Sequence, residues 1–205
     1  MKNRWIYSMV GGLMGGLLLT FSACEDYESM NVDPDNPTSV TAPMLMSGTE
    51  KLIFDSVTDV YTGGRFFRHF PQYWASRTYP EEALYSYHQN IISDLFNDFY
   101  LGISNLQQVI ELNSDPATAA ANAAYGANSN QIAAAKILKV WLMEVITDLW
   151  GDVPYRDVAQ LEQGVYYTRY DRQEEIYQGM LQELKEAVAM IDPSQPAFPA
   201  GTDRI

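Results

Sequence analysis

The stretch from Asn130 to Tyr155 constrains this chain more than any other, because its apolar residues keep helical spacing over a long run and then stop at a sharp break. Ile132, Ala135, Leu138, Leu142, Val145 and Leu149 recur at three- and four-residue steps, and Ile137, Trp141 and Ile146 widen the stripe. A stripe that wide predicts a helix buried on more than one side, inside a stack of helices. Asn128 or Ser129 is placed to cap its start. Gly151 accommodates the backbone that ends it, and Pro154 blocks resumption. Thr147-Asp148-Leu149-Trp150-Gly151-Asp152-Val153-Pro154-Tyr155 therefore reads as a helix end turning into an extended segment.

Asp148 and Asp152 in that signature invite two readings. As a carboxylate pair they could serve acid–base chemistry or a cation. As structural groups, Asp152 would hydrogen-bond the turn after Gly151 while Trp150 packs on the neighbouring helix. Nearer the start, Asn31-Val32-Asp33-Pro34-Asp35-Asn36-Pro37 is a string of Asx and proline turns. A calcium loop from Asp33, Asp35 and Asn36 would lack the glycine and distal glutamate of an EF-hand. Both phrases, the Asn-x-Asp-Pro-x-Asn-Pro run and the helix ending Thr-Asp-Leu-Trp-Gly-Asp-Val-Pro-Tyr, resemble the SusD/RagB-like outer-membrane lipoproteins, which capture substrate for TonB-dependent transporters. That resemblance implies tetratricopeptide-type helix pairs supporting an irregular ligand-binding region.

Lys2 and Arg4 precede an apolar run from Ile6 to Phe21, the pattern of a secretory leader. The run is shorter than the roughly 20 residues a spanning helix needs, and it breaks at Ser22-Ala23-Cys24. By spacing and by the family resemblance, Cys24, the only cysteine, is the lipidated first residue of the mature chain. Phe21 departs from the usual leucine three positions earlier. Several acyl chains would anchor the protein firmly, and Glu25-Asp26 resembles the surface-export signal of Bacteroidetes lipoproteins. With that cysteine lipidated, no disulfide framework remains and the core must hold the fold. The expected organisation is a signal peptide over 1–23, a lipidated tether over 24–40 and a helical domain over 41–205. The last part, with Pro193, Pro196 and Pro199 and no capping element, leads us to expect the N-terminal portion of a longer chain.

Beyond the central helix, Thr41 and Pro43 start a helix carrying Leu45, Leu52, Ile53, Phe54 and Val57, which runs to about Tyr61 and stops at Gly63-Gly64. A second runs from Ser93 to Leu112 on Leu95, Phe99, Ile103, Leu106 and Ile110. Asn113-Ser114-Asp115-Pro116 ends it and caps a short alanine-rich segment up to Gly126. Asp171 with Glu174 makes a capping box for a last helix carrying Ile176, Met180, Leu184, Val188 and Ile191. No strand run of similar strength competes, so the fold class is mainly α, with stacked helix–turn–helix pairs and irregular aromatic-rich loops.

The chain carries 13 basic and 26 acidic residues, and losing Lys2 and Arg4 with the leader takes the formal charge to −15. Such a balance argues against nucleic acid as a partner. Against this background Phe66 to Tyr87 stands apart. Phe66, Phe67, Phe70, Tyr73, Trp74, Tyr79, Tyr85 and Tyr87 are interleaved with Arg65, Arg68, His69, Gln72 and Arg77 and bounded by Pro71 and Pro80. Flat rings suit the C–H face of a sugar, and planar polar groups suit its hydroxyls. The other reading is a satellite core, since an aromatic content of 13% requires many buried rings. Tyr166, Tyr167 and Tyr170 form a second cluster, expected between helices.

The resemblance implies that an aromatic loop after the first helix contributes to the ligand site, which makes Tyr73, Trp74, Arg77 and Tyr79 the candidates. It further implies a lipoprotein binding an oligosaccharide, or a peptide, and acting with a SusC-like TonB-dependent transporter. It would be a binding protein with no cofactor or metal. Two alternatives stand beside it. A glycoside hydrolase would need two placed carboxylates, yet the chain shows no nucleophile elbow or metal-ligand spacing, and His69 and His88 have no evident partners. A helical scaffold without a small ligand would bury Tyr73 and Trp74, whereas exposed rings would count against it.

Overall fold

The computed structural model describes residues 39–86, 89–159, 164 and 167–199. The leader, Cys24, the turn-rich tether with Asp33, Asp35 and Asn36, and Tyr87, His88, Tyr166 and residues 200–205 lie outside the described residues. Helices form where apolar spacing predicts them: α1 spans Ala42–Thr58, α2 Gln89–Ser114, α3 Pro116–Asn122, α4 Asn128–Trp150 and α5 Gln173–Met190. Among the described residues there is no strand, only a single antiparallel bridge between Val153 and Asp171. None of the described helices is long and apolar enough to cross a membrane.

Each long helix packs mainly on its neighbours in sequence: α1 on α2, α2 on α4, α4 on α5. Cross-links fix an antiparallel register throughout. Ser56 donates to Asp98 at 2.9 Å, Asn128 to Asn113 at 3.0 Å, and Lys136 meets Glu186 at 2.7 Å. The seams are filled by Phe99, Leu106, Leu142, Met143, Ile146 and Ile176, all essentially without solvent access. Burying a side chain of this kind contributes about 2 kcal/mol. Ile137 and Trp141, expected in the buried stripe of α4, are exposed, because α4 has α2 and α5 as its principal neighbours and these residues point at neither. Phe54, Val188 and Ile191 are exposed for the same kind of reason.

The turn that ends α4 is a staple. Gly151 takes a positive φ of 75°, open to glycine, and its N–H bonds Thr147 O at 2.7 Å. Trp150 then sets its ring edge-on to Phe96 and Phe99 of α2 at 5.1 and 6.4 Å. Asp152 accepts the N–H of Gln173 at 2.9 Å and so caps α5 from across the turn. Asp148 accepts the Tyr177 hydroxyl at 2.6 Å. Both carboxylates of the signature thus join α4 to α5. Asp171 does not make the expected capping box, because its carboxylate takes the N–H groups of Tyr155 and Arg156 at 3.1 and 2.9 Å, which leaves Arg172 at the cap position without a side-chain bond.

The start of α1 is capped by a distant residue too. Thr41 makes no side-chain cap, and Asn122 instead accepts the Ala42 N–H at 2.9 Å. Ala127 precedes α4, while Asn128 turns its amide to Asn113 and Ala119. Asp115 caps α3 as expected, accepting from Ala117 N–H at 2.9 Å. Asn130 grips the segment after α5 through Asp192 and Gln195 carbonyls, both at 2.8 Å. Tyr167 and Tyr170, expected between helices, are exposed.

Removing the cross-turn cap with Asp152→Ala will lower stability by about 1 kcal/mol, read as a shift in urea midpoint. A pH dependence follows from Tyr100, whose hydroxyl donates to Pro154 O at 2.7 Å, and from Tyr155. Burial, foremost, pushes both phenols above the ordinary value; Tyr170 and Asp171 add to it for Tyr100, and Glu183, Glu186 and Asp171 for Tyr155. The unfolded chain therefore releases these protons first. Their contribution is complete below about pH 10 and is lost as pH rises beyond it. Tyr100→Phe will flatten that alkaline loss in a pH series of unfolding curves.

Candidate functional site

After α1 the backbone turns extended at Asp59, whose carboxylate accepts the N–H groups of Tyr61 and Thr62 and thereby starts a new helical run. That run is a π-helix over Val60–Phe66, continued as one α-turn over Phe67–His69. Gly63 and Gly64 do not stop a helix, as the sequence led us to expect; they lie within one. A side chain at Gly63 would meet Val57 O at 2.5 Å, so glycine lets the new run lie against the end of α1. The wider turn carries Arg65 to the foot of the aromatic loop.

The loop has two layers. Phe66, Phe67 and Phe70 form the inner one, half-buried, with ring centroids 5.3 Å apart for Phe66–Phe67 and 4.6 Å for Phe66–Phe70. His69 is buried beneath them and its Nδ1 lies 2.6 Å from Arg65 O, so that nitrogen carries the hydrogen. Tyr73, Trp74 and Tyr79 form the outer layer, at 80, 57 and 58% exposure. The satellite-core reading thus describes the phenylalanines, and the outer rings face solvent.

Arg65 ties the layers together. Its guanidinium meets Glu82 at 2.9 Å and Glu81 at 3.4 Å, and it lies 4.8 Å from the centre of the Tyr79 ring and 5.7 Å from that of Tyr61. Glu82 is 2% exposed, in a 3₁₀ turn over Glu82–Leu84. Gln72, with a positive φ of 61°, bridges the loop by donating to Ala83 O at 2.9 Å and His69 O at 3.2 Å. Trp74 N–H bonds Arg68 O at 3.1 Å, and the Arg68 guanidinium stacks on the Trp74 ring at 4.6 Å.

Beside this loop lies a cleft of about 450 Å³, lined by Asp59, Tyr61, Arg65, Asn90, Asp94 and Asp98 among others. That volume falls in the range of small-molecule sites, and its carboxylates and amide are suited to hydroxyl groups. Of the predicted residues, the structure sets Tyr79 on Arg65, which also lines the cleft, and Trp74 under Arg68; Tyr73 and Arg77 are exposed on the same loop. Sequence reasoning missed Tyr61, Asp59, Asn90 and Asp94. The Tyr61-Thr62-Gly63-Gly64 junction was the one signal for the first, while Asp59 sits at an extended cap position and Asn90 and Asp94 at helix positions with no local pattern. Among the described residues no cluster of three or more acidic, histidine or cysteine side chains is placed to hold a metal ion.

A family model for SusD-like proteins, described as starch-binding and associating with the outer membrane, matches residues 34–204. Among solved structures, a chitin-binding protein superposes with a TM-score of 0.60 at 23% identity over 75% of this chain. A SusD/RagB family protein from Bacteroides thetaiotaomicron gives a TM-score of 0.56 at 15% identity over 74% of the chain. The matches cover 32% and 30% of those two proteins, so this chain spans about a third of their length. At these identities the likeness shows the fold. Among curated protein sequences there is no match.

Breaking a buried ion pair costs about 3 kcal/mol, so Arg65→Ala will destabilise the fold by that order. Arg65→Lys keeps the charge but not the planar stacking and will lose an intermediate amount. Urea unfolding followed by tryptophan fluorescence reads both.

Proposed function

Because the chain belongs to the SusD-like family, we propose that it is a cell-surface lipoprotein that captures an oligosaccharide and presents it to a SusC-like TonB-dependent transporter. Peptide capture is the secondary form of the same reading. Cys24 carries the lipid anchor to the outer membrane, and the helical stack is the scaffold that holds the aromatic loop. The observation that carries this reading is the exposure of Tyr73, Trp74 and Tyr79 on a loop pinned by Arg65 and Gln72. Loose rings in water would collapse on one another or be buried, and a pinned loop that keeps them apart is preorganised for a flat apolar face.

The work of such a site is binding. A sugar's C–H face lies on Trp74, Tyr73 or Tyr79, while its hydroxyls bond Arg77 and the acidic and amide groups of the cleft. A scaffold without ligand is disfavoured by the same exposed rings.

Titrating the protein with a panel of oligosaccharides and peptides, followed by tryptophan fluorescence and calorimetry, tests the proposal. We expect saturable binding to an oligosaccharide that Trp74→Ala weakens at least tenfold, the loss of a stacked ring being worth about 1–3 kcal/mol, with the circular dichroism of the fold unchanged. Absence of binding across the panel by the folded protein would sink the capture reading, and cleavage of a ligand would replace it with an enzyme.

A further inference from the structure

The loop that displays the rings is also where this acidic chain leaves its cations unmatched. Between Arg65 and Pro80 there are three arginines and no acidic residue, in a protein with a formal charge of −13. Elsewhere most of the described cations are paired: Lys51 with Asp55, Lys136 with Glu186, Lys139 with Glu183, and Arg156 with Asp171 and Glu175. Arg65 is engaged by Glu81 and Glu82. Arg68 and Arg77 are exposed and make no ion pair among the described residues. Arg172 and Lys185 also lack one, yet they sit on or beside α5 with Glu174, Glu175, Glu183 and Glu186 close in sequence.

Arg68 is more than an unpaired surface charge. Its guanidinium stacks on Trp74 at 4.6 Å, and its backbone carbonyl accepts the Trp74 N–H at 3.1 Å. Stacking holds the guanidinium plane and leaves its N–H edge to make two parallel bonds to an anionic group. A solvated lysine-like charge would carry no such preset orientation. The excess negative charge over the rest of the protein would repel an anion, so a local positive patch coincident with the stacking rings discriminates among ligands where they dock.

We propose that the aromatic loop selects an anionic oligosaccharide, with a carboxylate or sulfate group on a sugar held by Arg68, Arg77 supplying a second cation and Trp74 and Tyr73 the stacking surface. This rests on the capture reading above and narrows its ligand class. Arg68 reads the charge, and the rings read the sugar.

The test compares four probes on the full chain by calorimetry at low and high salt: an oligogalacturonide, a sulfated galactan oligosaccharide, a neutral chito-oligosaccharide and a polyglutamate peptide. An anionic sugar should bind at least tenfold more tightly than the neutral one and weaken as salt rises. Arg68→Gln should reduce its affinity about tenfold or more, Arg68→Lys should retain part of it, and the remote Lys185→Gln should change nothing. Whichever anionic arm responds identifies carboxylate or sulfate as the group read. Equal or tighter binding of the neutral sugar, indifferent to Arg68→Gln, overturns the anionic assignment and leaves the capture reading intact. Polyglutamate binding as tightly as the anionic sugars overturns the oligosaccharide class. Silence from all four probes, with the fold intact by circular dichroism, overturns both.

Discussion

Arg65 and Glu82 meet at 2.9 Å with the carboxylate buried and the guanidinium partly so, one on a π-helix and the other on a 3₁₀ turn seventeen residues later. Beyond the short turn over Phe67–His69, the loop between them has no helix or sheet to hold it. Its order comes from this pair, from the Arg65 stack on Tyr79, and from Gln72 reaching both His69 and Ala83. A charge taken from water is costly unless its partner is well placed, so Arg65 and Glu82 favour the one loop conformation in which they meet. The outward presentation of Tyr73, Trp74 and Tyr79 depends on that conformation.

The scaffold beneath is made by a different rule. Its helices pair with neighbours in sequence, so local periodicity and a few antiparallel contacts suffice to build it, as in other stacked helical arrays. The Trp150–Gly151–Asp152 turn locks the middle of the array, setting aromatic contacts on α2 and a cap on α5 within three residues. That density explains why the sequence signature at this point is so marked, and why its two aspartates are structural.

How much of this was legible in the sequence depended on where each interaction partner lay. The α2 stripe of Leu95, Phe99, Ile103 and Leu106 was readable because period and burial coincide along one segment. Caps were misread where the partner is remote: Asn122 serves Ala42 across eighty residues and Asp152 serves Gln173 across twenty-one. Trp141 looked like core because periodicity gives a face and not its number of neighbours. On the aromatic loop, composition marked the rings but not their division into a phenylalanine layer and a solvent-facing Tyr/Trp layer. The cleft residues Asp59, Asn90 and Asp94 converge only once α1 and α2 are packed. Family likeness fills part of this gap at the level of fold, since the superposed structures are distant in sequence and more than twice as long as this chain.

The central claim is that sugar is held on the outer rings of the loop. Oxidative footprinting read by mass spectrometry, with and without bound oligosaccharide, measures this contact at individual residues. The account predicts that Tyr73, Trp74 and Tyr79 are oxidised readily in the free protein and protected on binding, while exposed Trp141 on α4 keeps its reactivity. Protection centred on Trp141 or on Tyr167 and Tyr170, with the loop rings still reactive, would contradict it.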